Sequence, residues 1–230
     1  MSRTFALIPA AGTGTRFGSD TPKQYLHLAG KPILQHAIER LAHGLAPECI
    51  YVVLAQDDAW YAREIVARAD VTVMHCGGAT RAQTVGNALR AIPNARRDDW
   101  IAVHDAVRPC VDRESLRRLQ REIADDAVGG LLAIPAAATL KRGDDHARVI
   151  RTEPREHIWL AQTPQMFRYG VLLEALTQPG AADATDEAQA VEALGLHPRL
   201  VRGSATNLKV TFPDDLRLAE AILRTQAPKS

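Results

Sequence analysis

The chain has 230 residues, of which 46% are hydrophobic and 24% are charged, and its 28 Lys and Arg residues nearly balance 27 Asp and Glu residues. These proportions are those of an ordinary globular protein and exclude a wholly disordered chain. The net charge of +1 argues against a protein that wraps nucleic acid or lies on an anionic membrane through bulk charge, so a bound anion must meet positive charge that is concentrated locally.

Apolar strands alternate with amphipathic helices along most of the chain. Strands are predicted, in chain order, at residues 5–8, 50–55, 71–75, 100–104, 131–134 and 199–201. Helices are predicted from Pro32 onward, from 57 to about 69, and at 80–92, 113–126, 169–177, 186–194 and 213–225. Strands without polar alternation, separated by such helices, are typical of a mostly parallel sheet that is covered on both faces. The sequence therefore predicts one α/β domain, residues 1–230, built on an open, doubly wound sheet.

One region interrupts this alternation. Two short strands at 137–141 and 148–152, around turn residues 143–146, predict a protruding β-hairpin that is polar and basic. It is either a simple surface excursion or an arm that reaches a partner subunit, and the residues by themselves leave both interpretations open.

A loop of small residues follows the first strand. Small side chains let backbone N–H groups approach a phosphate closely. Position 17 is Phe, so neither the dinucleotide-binding fingerprint nor the P-loop is present. Arg16 and Lys23 come after the glycines, and such a loop with two cations can hold a triphosphate and neutralise charge on a reacting phosphorus. A flexible turn beside ordinary surface cations is the alternative. The loop residues are Pro9, Ala10, Ala11, Gly12, Thr13 and Gly14.

A carboxylate follows the predicted strand at 100–104. Asp105 lies where open α/β sheets bind ligands, at the carboxyl end of a parallel strand. It could accept a hydrogen bond from a ribose hydroxyl or lie near a phosphate-bound Mg²⁺. The alternative is a plain ion pair with Arg108. The neighbouring His104 is expected to be a structural histidine.

A late segment carries the last candidate cation. Asn207, Lys209 and Thr211 alternate with apolar residues, which predicts three polar side chains on one face of an extended segment. Lys209 is the one that could meet a phosphate, and a solvated surface lysine is the alternative.

The sequence also bears on the cellular compartment. No apolar run approaches the roughly 20 residues of a membrane span, and residues 1–12 predict a β-strand rather than a signal peptide. Cys49, Cys76 and Cys110 lack CxxC spacing, which argues against a disulfide framework or a zinc site of the usual spacing. A reducing, cytoplasmic location fits these features best.

Seven motifs together resemble one enzyme family over residues 5 to about 224. They are Pro9-Ala10-Ala11-Gly12-x-Gly14-x-Arg16, Pro22-Lys23-Gln24-Tyr25, Gly77-Gly78-x-x-Arg81-x-x-Thr84-Val85, Val103-His104-Asp105-Ala106-x-Arg108-Pro109, Trp159-x-Ala161-Gln162-Thr163-Pro164-Gln165, Thr185-Asp186-Glu187-Ala188 and Asn207-x-Lys209-Val210-Thr211. The chain thereby resembles the 2-C-methyl-D-erythritol 4-phosphate cytidylyltransferase family of the non-mevalonate isoprenoid pathway. The resemblance implies a Rossmann-like nucleotidyltransferase fold.

The resemblance also implies a reaction. CTP and methylerythritol phosphate would give the CDP-linked methylerythritol and pyrophosphate, with Mg²⁺ held mainly by the CTP phosphates and no protein metal site. By this resemblance, Arg16 and Lys23 stabilise the pentacoordinate α-phosphate, and residues 9–14 hold the nucleotide. Gly78 and Thr84 help to select cytosine, while Asp105 and Ala106 contact the ribose region.

The second substrate has its own implied residues. Arg108, Thr163 and Lys209 would line the methylerythritol phosphate site, with Asp105 near. In this family the hairpin arm, at about 137–158, makes a homodimer. The arm would carry Thr139 and Arg155 into the neighbour's site, with Thr185 close by. Arg155 and Lys209 are the expected catalytic residues on this side.

Other functions remain to be separated by experiment. A sugar-phosphate nucleotidyltransferase with another acceptor would share the first loop. A non-catalytic nucleotide-binding module would release no pyrophosphate. An NAD-dependent dehydrogenase is disfavoured by Phe17.

Overall fold

The computed structural model describes residues 2–12 and 21–226. Among these residues the strands are β1 (Thr4–Pro9), β2 (His27–Leu28), β3 (Lys31–Pro32), β4 (Cys49–Val53), β5 (Val71–Met74), β6 (Trp100–Val103), β7 (Gly129–Pro135), β8 (Leu140–Gly143), β9 (Val149–Glu153), β10 (Trp159–Arg168) and β11 (Arg199–Arg202). The helices are α1 (Ile33–Leu45), α2 (Tyr61–Glu64), α3 (Arg81–Ala91), α4 (Arg113–Ile123), α5 (Tyr169–Ala175), α6 (Glu187–Glu192) and α7 (Pro213–Gln226). Short 3₁₀ turns cover Lys23–Tyr25 and Ala181–Asp183.

Seven strands form one sheet in the order β11-β7-β10-β6-β1-β4-β5. The pairs β1–β4, β1–β6, β4–β5 and β7–β11 are parallel, whereas β10 runs antiparallel to both of its neighbours, β6 and β7. The predicted α/β architecture with a mostly parallel sheet is therefore confirmed. Because β1 and β6 are neighbours, the loops that follow them emerge at the same edge of the sheet.

Helices cover the sheet on both faces, which explains the absence of polar alternation in its strands. In β1, Ala6 and Ile8 face the core under α1 and α4, whereas Phe5 and Leu7 face the core under α3, α5 and α6. Both faces of the strand are buried. Removal of this apolar surface from water on two sides is the main favourable contribution to such a fold.

Strand β10 has no counterpart among the predicted strands. Gln162, Thr163, Pro164 and Gln165 interrupt any apolar run, and a proline removes one donor from the ladder. The structure accommodates them with a shift in register between Ala161 and Gln165 where β10 pairs with β7. The motif at 159–165 thus lies on a central strand and not in a loop.

The helix predicted from 57 to about 69 is wrong, since the structure has only the single turn of α2. Asp58 accepts hydrogen bonds from the backbone N–H groups of Trp60 and Tyr61, so the helical turn begins at Tyr61 and not at residue 57. Ile65 is extended and Val66 is 70% exposed, so a longer helix would gain little apolar burial. Tertiary burial supplies most of the stability of short helices.

The hairpin is confirmed as a separate two-stranded sheet of β8 and β9, which pair antiparallel from Leu140 opposite Glu153 to Gly143 opposite Val149. Asp144 closes its turn by accepting hydrogen bonds from the backbone N–H groups of His146 and Arg148, at 3.0 and 2.8 Å. We call residues 137–158 the arm.

No helix among residues 2–12 and 21–226 is long and apolar enough to cross a membrane.

Candidate active site

A cavity of about 470 Å³ lies at the carboxyl ends of β1 and β6. Residues from five segments line it: 9–12 after β1, Lys23 and Gln24 in the 3₁₀ turn, 78–81 with Thr84 around the start of α3, 105–107 after β6, and Lys209. The cavity brings together the predicted residues Pro9, Ala10, Ala11, Gly12, Lys23, Gly78, Thr84, Asp105, Ala106 and Lys209. The predictions for Thr13, Gly14 and Arg16 concern residues outside the ranges that the structure describes.

The 3₁₀ turn is tied to the first loop by one side chain. Gln24 is buried, and its Nε2 donates to the carbonyl oxygens of Ala10 and Gly12, at 2.9 and 3.1 Å. Tyr25 is also buried, and its hydroxyl donates to Asp58 at 2.8 Å. These bonds fix the backbone that carries Lys23 against the loop predicted to hold phosphates.

The segment before α3 packs tightly against both the first loop and β4. A Cβ on Gly77 would lie 2.5 Å from the Ala11 Cβ and 2.8 Å from the Leu54 carbonyl oxygen, so only glycine fits there. The N–H of Gly78 donates to the Thr84 hydroxyl at 3.0 Å, and that hydroxyl donates to the Thr80 carbonyl at 2.9 Å. Thr84 therefore fixes the loop that is predicted to face the base.

Asp105 is the electrostatic centre of the cavity. Its Oδ1 lies 3.2 Å from Nε of Arg81, and its Oδ2 lies 3.0 Å from Nζ of Lys209 and 3.3 Å from Nε of Arg108. Burial by itself would raise the pKa of Asp105, but the three cations together hold that pKa well below its ordinary value. The carboxylate is thus ionised.

Neither a simple Asp105–Arg108 ion pair nor a solvated Lys209 accounts for all the contacts of these residues. Asp105 pairs with Arg108, as one alternative required, but it also faces two further cations. The side chain of Lys209 is 47% exposed, yet its ammonium group is held by Asp105 at the wall of the cavity. Lys209 is therefore an oriented cation with one side open to a ligand.

A buried frame holds this cluster from behind. The Thr163 hydroxyl accepts from the N–H of Asp105 at 3.0 Å and lies 2.9 Å from Nδ1 of His104. Nε2 of His104 lies 3.0 Å from the carbonyl oxygen of Arg108, which only accepts, so the ring proton is on Nε2 and Thr163 donates to Nδ1. Burial lowers the pKa of His104 to about 4. The structural assignment of His104 is confirmed.

The predicted extended face at 207–211 is wrong in part, because the segment forms no strand. Asn207 is fully buried, and its side-chain amide donates to the backbone carbonyl of Thr163 at 2.8 Å. The backbone carbonyl of Asn207 accepts from Nη1 of Arg108 at 2.7 Å. Thr211 turns instead to the start of α7, where Asp215 accepts from its N–H. Only Lys209 of the three faces the cavity.

Two residues of the site were quoted in motifs without a predicted role, Arg81 and Glu187. Nη1 of Arg81 lies 2.5 Å from Oε1 of Glu187, so Arg81 bridges Glu187 and Asp105. A signal for Arg81 was present, because a cation in the first turn of a helix opposes the helix dipole and calls for a carboxylate partner. The sequence carries no such signal for Glu187, since an acidic residue is common in the first turn of a helix such as α6.

Comparison with known proteins decides the family. The family model for 2-C-methyl-D-erythritol 4-phosphate cytidylyltransferase (IspD) matches residues 4–225. The protein of that name from Dechloromonas aromatica (strain RCB) is 52% identical over 98% of this chain and 100% of its own length. The one from Nitrosospira multiformis is 51% identical over 97% of this chain and 99% of its own. The chain belongs to the 2-C-methyl-D-erythritol 4-phosphate cytidylyltransferase family.

Solved structures agree with this family assignment. A crystal structure of 4-diphosphocytidyl-2C-methyl-D-erythritol synthase superposes with a TM-score of 0.86 at 37% identity, covering 97% of this chain and all of that one. The 2-C-methyl-D-erythritol 4-phosphate cytidylyltransferase of Francisella tularensis gives a TM-score of 0.84 at 36% identity, covering 96% and 100% of the two chains. Members of this family are nucleotidyltransferases, so the predicted enzyme class is confirmed.

The remaining predicted residues lie outside the cavity lining of the described chain. Arg108 and Thr163 stand behind Asp105, where they bond it directly. Thr185 is exposed, and its hydroxyl donates to Gln189 at 3.0 Å. Thr139 and Arg155 are exposed on the arm, and Arg155 donates to the carbonyl of Ala137. Their assignment to a substrate site stays a prediction.

Proposed function

We propose that this protein transfers CMP from CTP to 2-C-methyl-D-erythritol 4-phosphate and releases pyrophosphate. The observation that carries the proposal is the cavity at the carboxyl ends of β1 and β6, where the small-residue loop, Lys23, Asp105 and Lys209 meet in a chain of this family. Open α/β sheets bind ligands at this edge.

This nucleotidyl transfer requires the two substrates to be positioned and the negative charge at the α-phosphate to be stabilised. The acceptor phosphate is already an anion when it attacks the α-phosphorus in line, so it needs no general base. The nearby His104 suits this mechanism, because it is enclosed, neutral and bonded at both ring nitrogens. Lys23, with Arg16, stabilises the charge that grows on the α-phosphate, and the loop at 9–14 cradles the nucleotide.

Asp105 organises the acceptor side of the site. It holds Lys209 at the cavity wall with its ammonium oriented, and it fixes Arg108 behind it. A phosphate that enters the cavity would take over part of the interaction that Lys209 now makes with Asp105. Thr163 contributes through the backbone of Asp105, since its hydroxyl is already engaged on two sides.

Mg²⁺ is assigned to the phosphates of CTP. Both oxygens of Asp105 already face cations, and within the described ranges no group of three or more His, Cys, Asp and Glu side chains could hold a metal ion. This donor set fits an ion that takes most of its ligands from phosphate oxygens. When bound there, the ion would neutralise triphosphate charge.

The arm supports a homodimer with a shared site. It carries three exposed apolar side chains, Val149, Ile150 and Ile158, which are 64, 60 and 42% exposed, and Leu160 at the start of β10 is 49% exposed. Exposed apolar side chains on and next to a protruding hairpin favour an interface over a simple surface excursion. The guanidinium of Arg155 suits a phosphate because it binds two oxygens at once. In a two-fold dimer this arm would bring Arg155 and Thr139 to the partner's cavity.

Pyrophosphate release tests the proposed reaction. The enzyme is incubated with each of the four nucleoside triphosphates and Mg²⁺, with and without methylerythritol phosphate. Release is expected with CTP and only when the acceptor is present. Equal turnover of ATP, or turnover with hexose or pentose phosphates in place of methylerythritol phosphate, would contradict the assignment and favour a different nucleotidyltransferase.

A further inference from the structure

Glu187 is a carboxylate enclosed at the start of α6, where it is 1% exposed. The helix start is clamped to β10 by Gln165, whose Nε2 donates to Asp186 at 2.9 Å and whose Oε1 accepts from the N–H of Ala188 at 2.8 Å. Asp186 caps the helix through the N–H of Gln189. The position of the Glu187 side chain is therefore fixed by the sheet.

Among the described residues, the side chain that donates a hydrogen bond to the Glu187 carboxylate is that of Arg81. Oε1 accepts from Nη1 of Arg81 at 2.5 Å, while Oε2 of Glu187 is enclosed without a hydrogen bond. Nη2 of Arg81 is also enclosed and makes no hydrogen bond, but it lies 3.2 Å from Oδ1 of Asp105 as part of their ion pair. The Arg81 side chain is 26% exposed, but this end of its guanidinium is covered. The same guanidinium reaches Asp105 through Nε at 3.2 Å.

Stability is a poor explanation for this arrangement. Burying a charged pair removes two ions from water, and well-packed apolar residues in its place are often as stable or more stable. Burial raises the pKa of Glu187 even though Arg81 opposes the shift, because an enclosed carboxylate loses the hydration of its charge. Oε2 of Glu187 is also left without a hydrogen bond, which adds a cost.

The geometry indicates a role in orienting Asp105. Arg81 takes Oδ1 of Asp105, which turns Oδ2 toward Lys209 and Arg108. Arg81 itself is held from the far side by Glu187. If Glu187 lost its charge, Arg81 would lose this second anchor and the Asp105 carboxylate would be free to rotate. The position of Lys209 would then no longer be fixed.

We propose that Glu187 is a positioning residue, which acts through Arg81 to orient Asp105 and so to place Lys209 for the phosphate of the second substrate. This inference rests on the proposed function. It assigns to α6, a helix outside the cavity lining, a part in binding the acceptor.

The first test compares Glu187→Gln with Glu192→Gln, an exposed residue of the same helix. Steady-state kinetics are measured against each substrate. Glu187→Gln is expected to raise KM for methylerythritol phosphate and to lower kcat/KM for it about 10- to 100-fold, as misplacement near a reacting group typically does. Glu192→Gln should match the wild type. A purely structural role would lower kcat with the folded fraction and leave both KM values unchanged, and that result overturns the proposal.

The second test separates folding from positioning. In Arg81→Met/Glu187→Met both charges are replaced by apolar groups of similar length, so the melting temperature is expected to recover relative to Glu187→Gln. The raised KM for methylerythritol phosphate is expected to persist. If wild-type kinetics return with the melting temperature, the network is structural and the proposal is wrong. A wild-type enzyme that fails to turn over CTP with methylerythritol phosphate would instead refute the proposed function.

Discussion

Two carboxylates of this protein each face more than one cation, in opposite environments. The Asp105 side chain is 9% exposed and meets Arg81, Arg108 and Lys209 at the cavity. The Glu153 side chain, in the arm, is 25% exposed and meets Arg142 and Arg151. The buried cluster is held by the fold itself, whereas water and salt screen the pairs of the arm. The arm's own ion pairs therefore hold it only weakly.

The largest effect is expected at the reaction itself. Lys23→Ala should lower kcat about 100- to 1000-fold, because the charge it is proposed to stabilise develops only in the transition state. CTP binding, measured by calorimetry, should change far less. Lys31→Ala removes a surface lysine that pairs with Glu39 and serves as the matched control. Near wild-type kcat in Lys23→Ala would make Lys23 an ordinary surface cation.

Acid should destabilise the frame behind the cavity. His104 has an ordinary pKa of 6.5 that burial lowers to about 4, so the folded state binds fewer protons than the unfolded state between these values. Its stabilising contribution is complete above pH 6.5 and is lost as the pH falls toward 4, by about 3 kcal/mol in all.

Urea unfolding at several pH values checks this prediction. His104→Gln should flatten the fall in the free energy of unfolding between pH 6.5 and 4, whereas His146→Gln, in the arm turn, should keep it. The raised pKa of Glu187 acts with the opposite sign, since it favours the folded state as the pH falls. The difference between His104→Gln and the wild type therefore isolates His104. An unchanged slope in His104→Gln would show that the pKa of His104 is not lowered in the folded state.

The two carboxylates can be compared directly by stability. Asp105→Asn leaves three cations without their shared partner and should lower the free energy of unfolding by about 2–3 kcal/mol, less than the loss typical of fully buried pairs because Lys209 and Arg81 are partly exposed. Glu153→Gln should leave the free energy of unfolding of the monomer unchanged. Equal losses in the two variants would remove the distinction between cavity and arm.

The smallest effect is expected from the arm. Arg155→Ala should raise KM for methylerythritol phosphate about 10- to 100-fold, the range for losing a hydrogen bond to a charged group, and leave CTP binding little changed. Mixing Arg155→Ala with Lys23→Ala, under conditions of subunit exchange, tests whether Arg155 acts in the partner's site. With methylerythritol phosphate well below the KM of Arg155→Ala, where both homodimers are nearly inactive, activity should return toward half of wild type per heterodimer. A mixture no more active than the separate variants under these conditions, with heterodimers present, would place Arg155 in its own subunit's site.

Much of the fold was predictable because burial on both faces leaves a plain mark in the sequence. Strands such as β1 and β6 are continuous apolar runs, and α3 and α4 begin at residues that cap them through side-chain hydrogen bonds, Thr80 and Asp112. Strand β10 left no such mark, because Pro164 and polar residues interrupt its apolar run, and Thr163 and Gln165 bond the frame behind the cavity and the start of α6. The helix predicted at 57–69 does not form beyond Tyr61–Glu64, and no residue of that single turn is buried.

The site was predictable only residue by residue. Asp105 and Lys209 could be named from their place after a strand and in a motif, but their contact joins residues that are 104 positions apart. The link from Glu187 through Arg81 to Asp105 depends on three segments meeting in space. The position of Arg81 in the first turn of α3 indicates a carboxylate partner, but local sequence patterns do not say which carboxylate meets it.

Whether this cavity joins CMP to methylerythritol phosphate can be read from the phosphorus atoms themselves, by ³¹P NMR of the wild-type reaction with CTP, Mg²⁺ and methylerythritol phosphate. We expect the acceptor's monophosphate signal to be replaced by two mutually coupled doublets of an unsymmetrical diphosphate, together with pyrophosphate. A persistent monophosphate signal, or the appearance of CMP without a coupled diphosphate, would contradict this expectation.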